Sequence, residues 1–257
     1  MKRLTTSNPF LYTTGILLVF LLWALISFSF GQGNLIFPNP VDTISFAFSL
    51  FGNSYFYQSV GMSLLRTLYG FGISFAIALV LGSLAGEIKI LQKVLRPLII
   101  VFKSAPTAAF VFLFLLLSGS SRAPVWVVSL LAFPILYDSV VSGINAIPKE
   151  IIWASRVDEG TFFSTLLRIK IPLSAPYLFL GLMNSFALSF KTEIMAEIIT
   201  GDTGKGLGGM IRLYRNEDPS NLVPVFAIAL VAIVIILLFD AINMLLHRIF
   251  KLPEYGN

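Results

Sequence analysis

The chain has 257 residues, of which 56% are hydrophobic and only 12% are charged, and its mean hydropathy is +0.87. Because a soluble domain carries about 25% charged residues, this composition excludes an ordinary soluble domain and indicates a polytopic membrane protein. The absence of cysteine excludes disulfides and cysteine-ligated metals. The net charge of +5 fits Lys and Arg residues that flank membrane spans, so no nucleic-acid partner is expected.

Six apolar segments are long enough to cross a membrane, since a spanning helix needs roughly 20 apolar residues. In chain order they are about Phe10–Phe30, Ser63–Gly86, Leu98–Ser118, Pro124–Ile147, Ile171–Thr200 and Val223–Leu246. Lys2 and Arg3 precede the first segment, as in a signal peptide, but the segment exceeds the 7–15 apolar residues of a signal. We therefore expect a retained helix and an all-α membrane protein of about six transmembrane helices.

The distribution of Lys and Arg predicts the orientation, because cytoplasmic loops are enriched in these residues. With the N-terminus inside, the cytoplasmic basic residues are Lys2, Arg3, Lys89, Lys93, Arg96, Lys149, Arg156, Arg168, Lys170, Arg248 and Lys251. The external ones are Arg122, Lys205, Arg212 and Arg215. This excess on one side predicts that both termini lie in the cytoplasm.

Cysteine labelling tests this topology cleanly, because the chain has no cysteine of its own. Cysteines introduced at Asn53 and Asp202 should react with a membrane-impermeant reagent added outside intact cells. A cysteine at Glu150 should not react under the same conditions. The opposite labelling pattern would contradict the predicted arrangement of spans.

The interval from Pro148 to Pro176 is the longest charge-rich stretch between apolar segments. It resembles the cytoplasmic loop with which permeases of ABC importers contact their ATPase subunits. That loop carries E-A-A, three residues, G, nine residues and I-x-L-P. The positions that fit are Ala154, Ile169 and Pro172, and those that depart are Trp153, Ser155, Glu159 and Ile171. Gly160 lies one position beyond the expected glycine.

Four further stretches resemble motifs of the same family, in the same order. Phe37–Pro40 is similar to L-P-S-P, Ser63–Phe71 to S-L-x-R-x-x-x-G-F, and Lys103–Ala109 to R-x-I-P-x-x-A. Ala196-Glu197 with Gly206-Leu207-Gly208 is similar to its A-E and G-L-G. The sequence is therefore identified as a member of the binding-protein-dependent ABC importer permeases with the type I importer fold, nearest to the sulfonate, taurine and nitrate branch.

The resemblance implies an all-α permease with an N-terminal helix before a five-helix core. Residues 1–60 would form that helix and an external loop, 61–250 the core with a coupling loop at about 148–172, and 251–257 a cytoplasmic tail. Two copies, expected to be identical, would form the pathway in a bacterial cell membrane. Two ATPase subunits would bind inside and one solute-binding protein outside. The solute would be a small anion or, alternatively, an uncharged heterocyclic vitamin precursor.

The resemblance also assigns ATPase coupling to particular residues. They are Glu150, Trp153, Ala154, Ser155, Arg156, Asp158, Glu159, Gly160 and Pro172. Trp153 is the expected apolar anchor, since buried aromatic side chains are favoured interface hot spots. The alternative is that Trp153 anchors the chain at the level of the lipid headgroups.

Polar groups inside spans are rare and count as functional hypotheses. The pathway candidates are Pro106, Asp138, Lys191, Glu193 and Glu197. Glu193 and Glu197 share a helix face, whereas Lys191 lies about 200° round the helix from Glu193. Lys191 is expected to line the path or to take a partner elsewhere, and structural ion pairing is the alternative for the group.

Two further basic residues have open interpretations. Arg66 is expected either to reach the lipid headgroups or to form a structural ion pair. Lys103 is expected to extend to the headgroups rather than to contact solute.

Neither a catalytic nor a metal or cofactor site is expected. The single histidine, His247, cannot build a metal site, and no G-x-x-x-x-G-K-[ST] motif occurs, so an ATPase must be a separate chain. Gly204, Gly206 and Gly209 match G-x-G-x-x-G but follow a helix, whereas a dinucleotide site needs a preceding strand.

Two competing functions make different demands. A membrane-embedded enzyme would need paired catalytic groups at one depth, which Asp138 and Asp240 do not provide. A stand-alone secondary transporter would move solute on an ion gradient without ATPase subunits.

Overall fold

The computed structural model describes residues 9–29, 37–148, 150–151, 161–201 and 205–249, and within these ranges the regular elements are all helical. The helices are α1 Pro9–Ser29, α2 Pro40–Leu50, α3 Ser54–Glu87, α4 Lys89–Ser104, α5 Thr107–Ser118, α6 Ala123–Asn145, α7, α8 Leu207–Glu217 and α9 Val223–Ile249. Helix α7 consists of a turn at Phe162–Thr165, a π-helical segment at Leu166–Lys170 and a long α-helix at Ile171–Thr200. The all-α prediction is confirmed.

Four of the described helices, α3, α6, α7 and α9, are long and apolar enough to cross a membrane. The bent pair of α4 and α5 gives a fifth crossing when the two helices are counted as one span, and the apolar part of α1, Thr13–Ser29, is shorter. A five-helix core after an N-terminal helix therefore matches the expected architecture. The second predicted span begins at Ser54 instead of Ser63, because Asn53 caps the helix by accepting a hydrogen bond from the Tyr55 N–H. The expected boundary between residues 60 and 61 thus falls inside α3.

The prediction of one continuous third span at Leu98–Ser118 is wrong. The chain breaks between α4 and α5, whose axes differ by 97°. Pro106 causes the break, because proline disfavours helical geometry in the preceding residue, and Ala105 accordingly is extended, with φ −73° and ψ 141°. At 1.5 Å per residue, the 12 residues of α5 cover only about 18 Å, so α5 alone is too short to cross the bilayer.

Helix α7 extends further towards its N-terminus than the predicted fifth span, which started at Ile171. Pro172 cannot donate a hydrogen bond within the helix, yet α7 continues through this residue. The π-helical segment accommodates this position, with the Ile171 N–H bonded to the Leu166 carbonyl five residues back. The last part of the expected coupling loop is therefore the start of a membrane helix.

The core is built where α6 packs between α3 and α7, which are its two most extensive helix contacts. Glycines on α3 permit this close approach. A Cβ at Gly82 would lie 2.8 Å from the Cβ of Val140, and one at Gly86 would lie 2.9 Å from the Cβ of Ile144. Side chains larger than glycine would push α3 away from α6.

One end of the molecule carries both short helices between spans, α2 and α8. The rings of Phe46 on α2 and Tyr214 on α8 meet edge to face with centroids 5.6 Å apart. With α4 and α5 counted as one crossing, four crossings separate these two helices along the chain, so an even number of crossings accompanies their proximity. Helix α1 is tied to the same end, where the indole of Trp23 donates to the Pro38 carbonyl at 3.0 Å.

Candidate functional site

A buried polar cluster, here called the Glu197 cluster, joins α3, α7 and α8. It consists of Ser63, Arg66, Glu197, Leu207 and Gly208. Glu197 is fully buried, and its Oε1 accepts a hydrogen bond from Arg66 Nη1 at 3.0 Å. The Ser63 hydroxyl lies 2.8 Å from Glu197 Oε2 as a donor. Arg66, only 8% exposed, thus forms the ion pair that was one of its two expected roles.

The cluster also caps the N-terminus of α8. The Gly208 N–H donates to Glu197 Oε2 and the Leu207 N–H donates to Ser63 Oγ, both at 2.8 Å. The first backbone N–H groups of a helix have no partner within it, and Gly206 at the N-cap has no side chain to supply one. Glu197 and Ser63 take over that role from neighbouring helices, and the negative charge suits a helix N-terminus.

Steric crowding explains why positions 206 and 208 of the G-L-G motif are glycine. A Cβ at Gly206 would overlap the Glu197 carboxylate, and one at Gly208 would lie 2.5 Å from Glu197 Cβ and 2.6 Å from the Ile194 carbonyl oxygen. The sequence motif is therefore a requirement for close approach of α8 to α7. It brings the start of α8 against α7.

We expect Gly208→Ala to lower the free energy of unfolding by about 1–3 kcal/mol, the usual cost of overpacking a well-packed core. The matched control is Gly72→Ala on α3, where an added Cβ meets nothing within 4 Å. Unfolding of both purified variants in an SDS titration measures the difference. Equal stability of the two variants would show that α8 does not depend on the Glu197 cluster.

A second ion pair fixes α3 to α7 at the opposite end. Lys170 pairs with Glu87, and their side chains are only 8% and 15% exposed. Because α3 and α7 run in opposite directions, Arg66–Glu197 and Glu87–Lys170 connect the same two helices at both ends. Helices α3 and α7 therefore form one braced unit between the two membrane faces.

The remaining pathway candidates occupy three different settings. Glu193 is fully buried, whereas Lys191 is exposed on the surface of the single chain, as their 200° separation predicted. Asp138 forms an ion pair with Lys103, and both side chains are nearly half exposed. Pro106 lies at the break between α4 and α5, where it is exposed. The structure places Glu197 in the Glu197 cluster with Arg66 and pairs Asp138 with Lys103, and pathway roles for all five candidates stay predictions.

Most of the predicted coupling residues lie outside the described residues. This applies to Trp153, Ala154, Ser155, Arg156, Asp158, Glu159 and Gly160. Glu150 is exposed and helical, and Pro172 is exposed on α7. Both are therefore accessible in the single chain, at the end of the molecule that carries the Glu87–Lys170 pair.

The side chain of Tyr214 on α8 is uncharged. Burial, together with the neighbouring Glu217 carboxylate and Tyr55, raises the pKa of Tyr214 above its ordinary value. The phenol is therefore neutral at physiological pH. Its packing against Phe46 does not change with pH in the neutral range.

The sequence interpretation did not assign roles to Ser63, Glu87 or Lys170. Ser63 and Arg66 could have been grouped, because residues three apart share a helix face. The Glu87–Lys170 pair, separated by 83 positions along the chain, has no comparable local signal.

Comparison with known proteins decides the family. The profile described as "Binding-protein-dependent transport system inner membrane component" matches residues 78–251. The chain belongs to this family. It is thus a transport permease of the ABC importer class, a multi-pass membrane protein.

Among relatives of this permease are the nitrate import permease protein NrtB of Synechococcus elongatus and SsuC of Bacillus subtilis, which is named as an aliphatic sulfonates transport permease. NrtB is 29% identical over 212 residues, covering 77% of this chain and 75% of NrtB. SsuC is 25% identical over 223 residues, covering 86% and 79%. The riboflavin transport system permease protein RibX of Chloroflexus aurantiacus is 27% identical over 222 residues, covering 85% and 82%.

A solved structure of the MetNI methionine ABC transporter shares the fold of the permease. It superposes with a TM-score of 0.65 at 17% identity, covering 76% of this chain and 95% of the matched chain. At this identity the likeness establishes the fold, and the solute has to be argued from other observations.

Proposed function

We propose that this permease imports a small anion, such as nitrate or a sulfonate, as one of two identical subunits. Each copy would bind one separate ATPase at the cytoplasmic face, and the pair would receive solute from one external binding protein. The similarity to NrtB and SsuC over three quarters or more of the chain carries the proposal. The similarity to RibX supports the second candidate, an uncharged heterocyclic vitamin precursor.

The braced unit of α3 and α7 suggests how a movement of the ATPase is transmitted to the other side of the membrane. Helix α7 is continuous over 38 residues from Phe163 to Thr200, which is about 57 Å at 1.5 Å per residue. Its inner end follows the expected coupling segment, and its outer end carries Glu197. A displacement of the segment at residues 148–161 would therefore move α8 together with α7. Since α8 is capped by Glu197, the external surface would respond to events at the ATPase.

The orientation forms part of the same proposal. Both termini would lie in the cytoplasm of a bacterium whose inner membrane holds the permease. The cytoplasmic face would then contain Glu150, the Glu87–Lys170 pair and the segment assigned to ATPase coupling. The external face would contain α2 and α8, which pack together and offer a continuous surface to a binding protein.

Lys191 is the proposed solute contact within the membrane. It lies nine residues before the end of α7, so about 14 Å along the helix from that end. A cation at such a depth costs about 2.5–3.5 kcal/mol on insertion scales. An exposed position at that depth fits a water-filled path between two copies, where Lys191 would offset the charge of a passing anion.

Coupling is tested by substitutions in the proposed ATPase contact. We expect Trp153→Ala, and separately Arg156→Glu, to reduce the amount of ATPase that co-purifies with the membrane-inserted permease by at least tenfold. Loss of a hot-spot aromatic typically costs 2 kcal/mol or more. The matched control is Trp126→Ala, because Trp126 is 41% exposed near the start of α6, at the opposite membrane face. Undiminished ATPase recovery with solute-stimulated hydrolysis would contradict the docking role.

A further inference from the structure

Helix α4 lies closer to the plane of the membrane than to its normal. Its first residue, Lys89, follows shortly after the end of α3, and α3 and α6 end at the same level, since a Cβ at Gly86 would lie 2.9 Å from the Cβ of Ile144. Near the other end of α4, Lys103 pairs with Asp138, which lies about 10 Å before the end of α6. The 16 residues of α4 span about 24 Å, so the helix rises only about 10 Å along its length.

The bend between α4 and α5 agrees with this shallow position. The two axes differ by 97°, so α5 leaves α4 almost perpendicularly. A rise of about 10 Å along α4 followed by the roughly 18 Å of α5 comes close to the hydrocarbon thickness of about 30 Å. A shallow α4 and a steep α5 together therefore complete one crossing.

The side chains of α4 divide into three sides. The side that packs on α3 and α6 consists of Leu91, Leu95, Ile99 and Phe102. The second side, here called the α4 stripe, is apolar and exposed and consists of Ile90, Val94, Leu98 and Val101. Both sets repeat at spacings of four, four and three residues, as one face of a helix requires. The third side is polar, and its Lys93 and Arg96 are exposed.

The charges of α4 indicate what covers the α4 stripe, whose side chains are between 42% and 76% exposed. Helix α4 has four basic residues and no acidic one, and neither Lys93 nor Arg96 has an ion pair within the part of the chain that the structure describes. A two-fold contact through this side would bring the same cations of both copies to one interface, and a water-filled path would leave the apolar stripe in water. A helix in the membrane interface instead buries its apolar face about 5–10 Å deep and carries Lys or Arg on its polar face. The position and the charges of α4 match this arrangement.

We propose that α4 is an interfacial helix that binds anionic phospholipid. The α4 stripe contacts the acyl chains, and Lys93 and Arg96 bind the headgroup phosphates, because Lys and Arg near a membrane surface attract anionic lipids. Assignment of this contact to the cytoplasmic leaflet rests on the orientation given under the proposed function, whereas the contact with lipid does not.

Fluorescence quenching by brominated lipids tests the proposal. The full-length permease with its co-purifying ATPase is reconstituted in phosphatidylcholine vesicles, and the absence of cysteine allows a single bimane label on Val94→Cys. Brominated acyl chains quench this label only on contact. We expect brominated phosphatidylcholine to quench it, and brominated phosphatidylglycerol to do so at a mole fraction at least tenfold lower. The control label is on Leu17→Cys of α1, which is 69% exposed and should be quenched equally by both lipids.

Substitution of the two cations in the Val94→Cys background tests the headgroup contact. Lys93→Gln and, separately, Arg96→Gln should each lower the preference for phosphatidylglycerol about fivefold, as loss of one cation near an anionic surface does. Quenching by phosphatidylcholine should not change, because the α4 stripe is intact. Arg215→Gln removes an exposed cation of α8 at the opposite membrane face and should leave the lipid preference as it is.

Two results would overturn the proposal. Quenching of the Leu17→Cys label without quenching of the Val94→Cys label would show that a second copy or water covers the α4 stripe. An unchanged lipid preference in both Lys93→Gln and Arg96→Gln would show that these cations do not hold headgroups. Solute uptake that does not depend on ATP, with both lipid results as expected, would count against the proposed function and leave the lipid contact standing.

Discussion

Glu197→Gln should lower the free energy of unfolding of the permease by about 3–5 kcal/mol, the cost of removing one partner from a buried ion pair. The amide oxygen of glutamine can still accept from the Gly208 N–H, so the cap of α8 is largely kept. The loss therefore comes from Arg66, which is 8% exposed and would lose the charge of the Glu197 carboxylate. SDS-titration unfolding of the purified protein measures this loss.

A double variant separates charge burial from other effects of the substitution. Arg66→Met in the Glu197→Gln background removes the buried cation, and replacing both members of a buried pair by uncharged groups is often nearly neutral. We expect the double variant to regain more than half of the lost stability. Glu217→Gln, at the exposed end of α8, is the control and should stay within about 0.5 kcal/mol of the unmodified protein. A double variant less stable than Glu197→Gln alone would show that the pair is not the source of the loss.

Lys191→Met should lower the rate of solute uptake by at least tenfold, while assembly and basal ATP hydrolysis are unchanged. The physical reason is that a cation close to a passing anion contributes about 4 kcal/mol at 4 Å and an effective dielectric constant of 20, and methionine cannot supply it. Uptake of labelled nitrate or taurine into cells measures the effect. ATPase recovery with the permease confirms assembly.

The control for the lysine is Lys89→Met, because Lys89 is exposed at the start of α4, outside the proposed path. Its uptake should equal that of the unmodified permease. Unchanged uptake in Lys191→Met would return Lys191 to a structural role. It would also favour the uncharged vitamin precursor as solute, since such a solute needs no compensating cation.

The architecture could be predicted from the sequence because hydrophobic segments of membrane length are local signals. Every predicted apolar segment overlaps a helix of the structure, and Lys191 and Glu193 differ in burial, in agreement with their opposite positions on the helix. The bend at Pro106 was missed, because the apolar character of the segment continues across the proline and hides the change of direction. The motif that contains Pro106 was recognised, but its geometric meaning required coordinates.

The Glu197 cluster could be predicted only in part. The motifs around Ser63, Glu197 and Gly208 were found separately, but Arg66 and Glu197 are 131 positions apart, and no local pattern pairs them. The pairing depends on tertiary contacts, which a single sequence does not encode in a readable spacing.

Uptake by proteoliposomes tests the central claim, ATP-driven import through this permease, most directly. The vesicles would contain the permease with its co-purifying ATPase, and labelled nitrate or taurine would be offered with the binding protein. Uptake should require hydrolysable ATP on the side of the membrane where the ATPase is bound. It should persist when ionophores remove all ion gradients. Uptake by the permease alone, driven by an ion gradient and indifferent to ATP, would contradict the account and identify a secondary transporter instead.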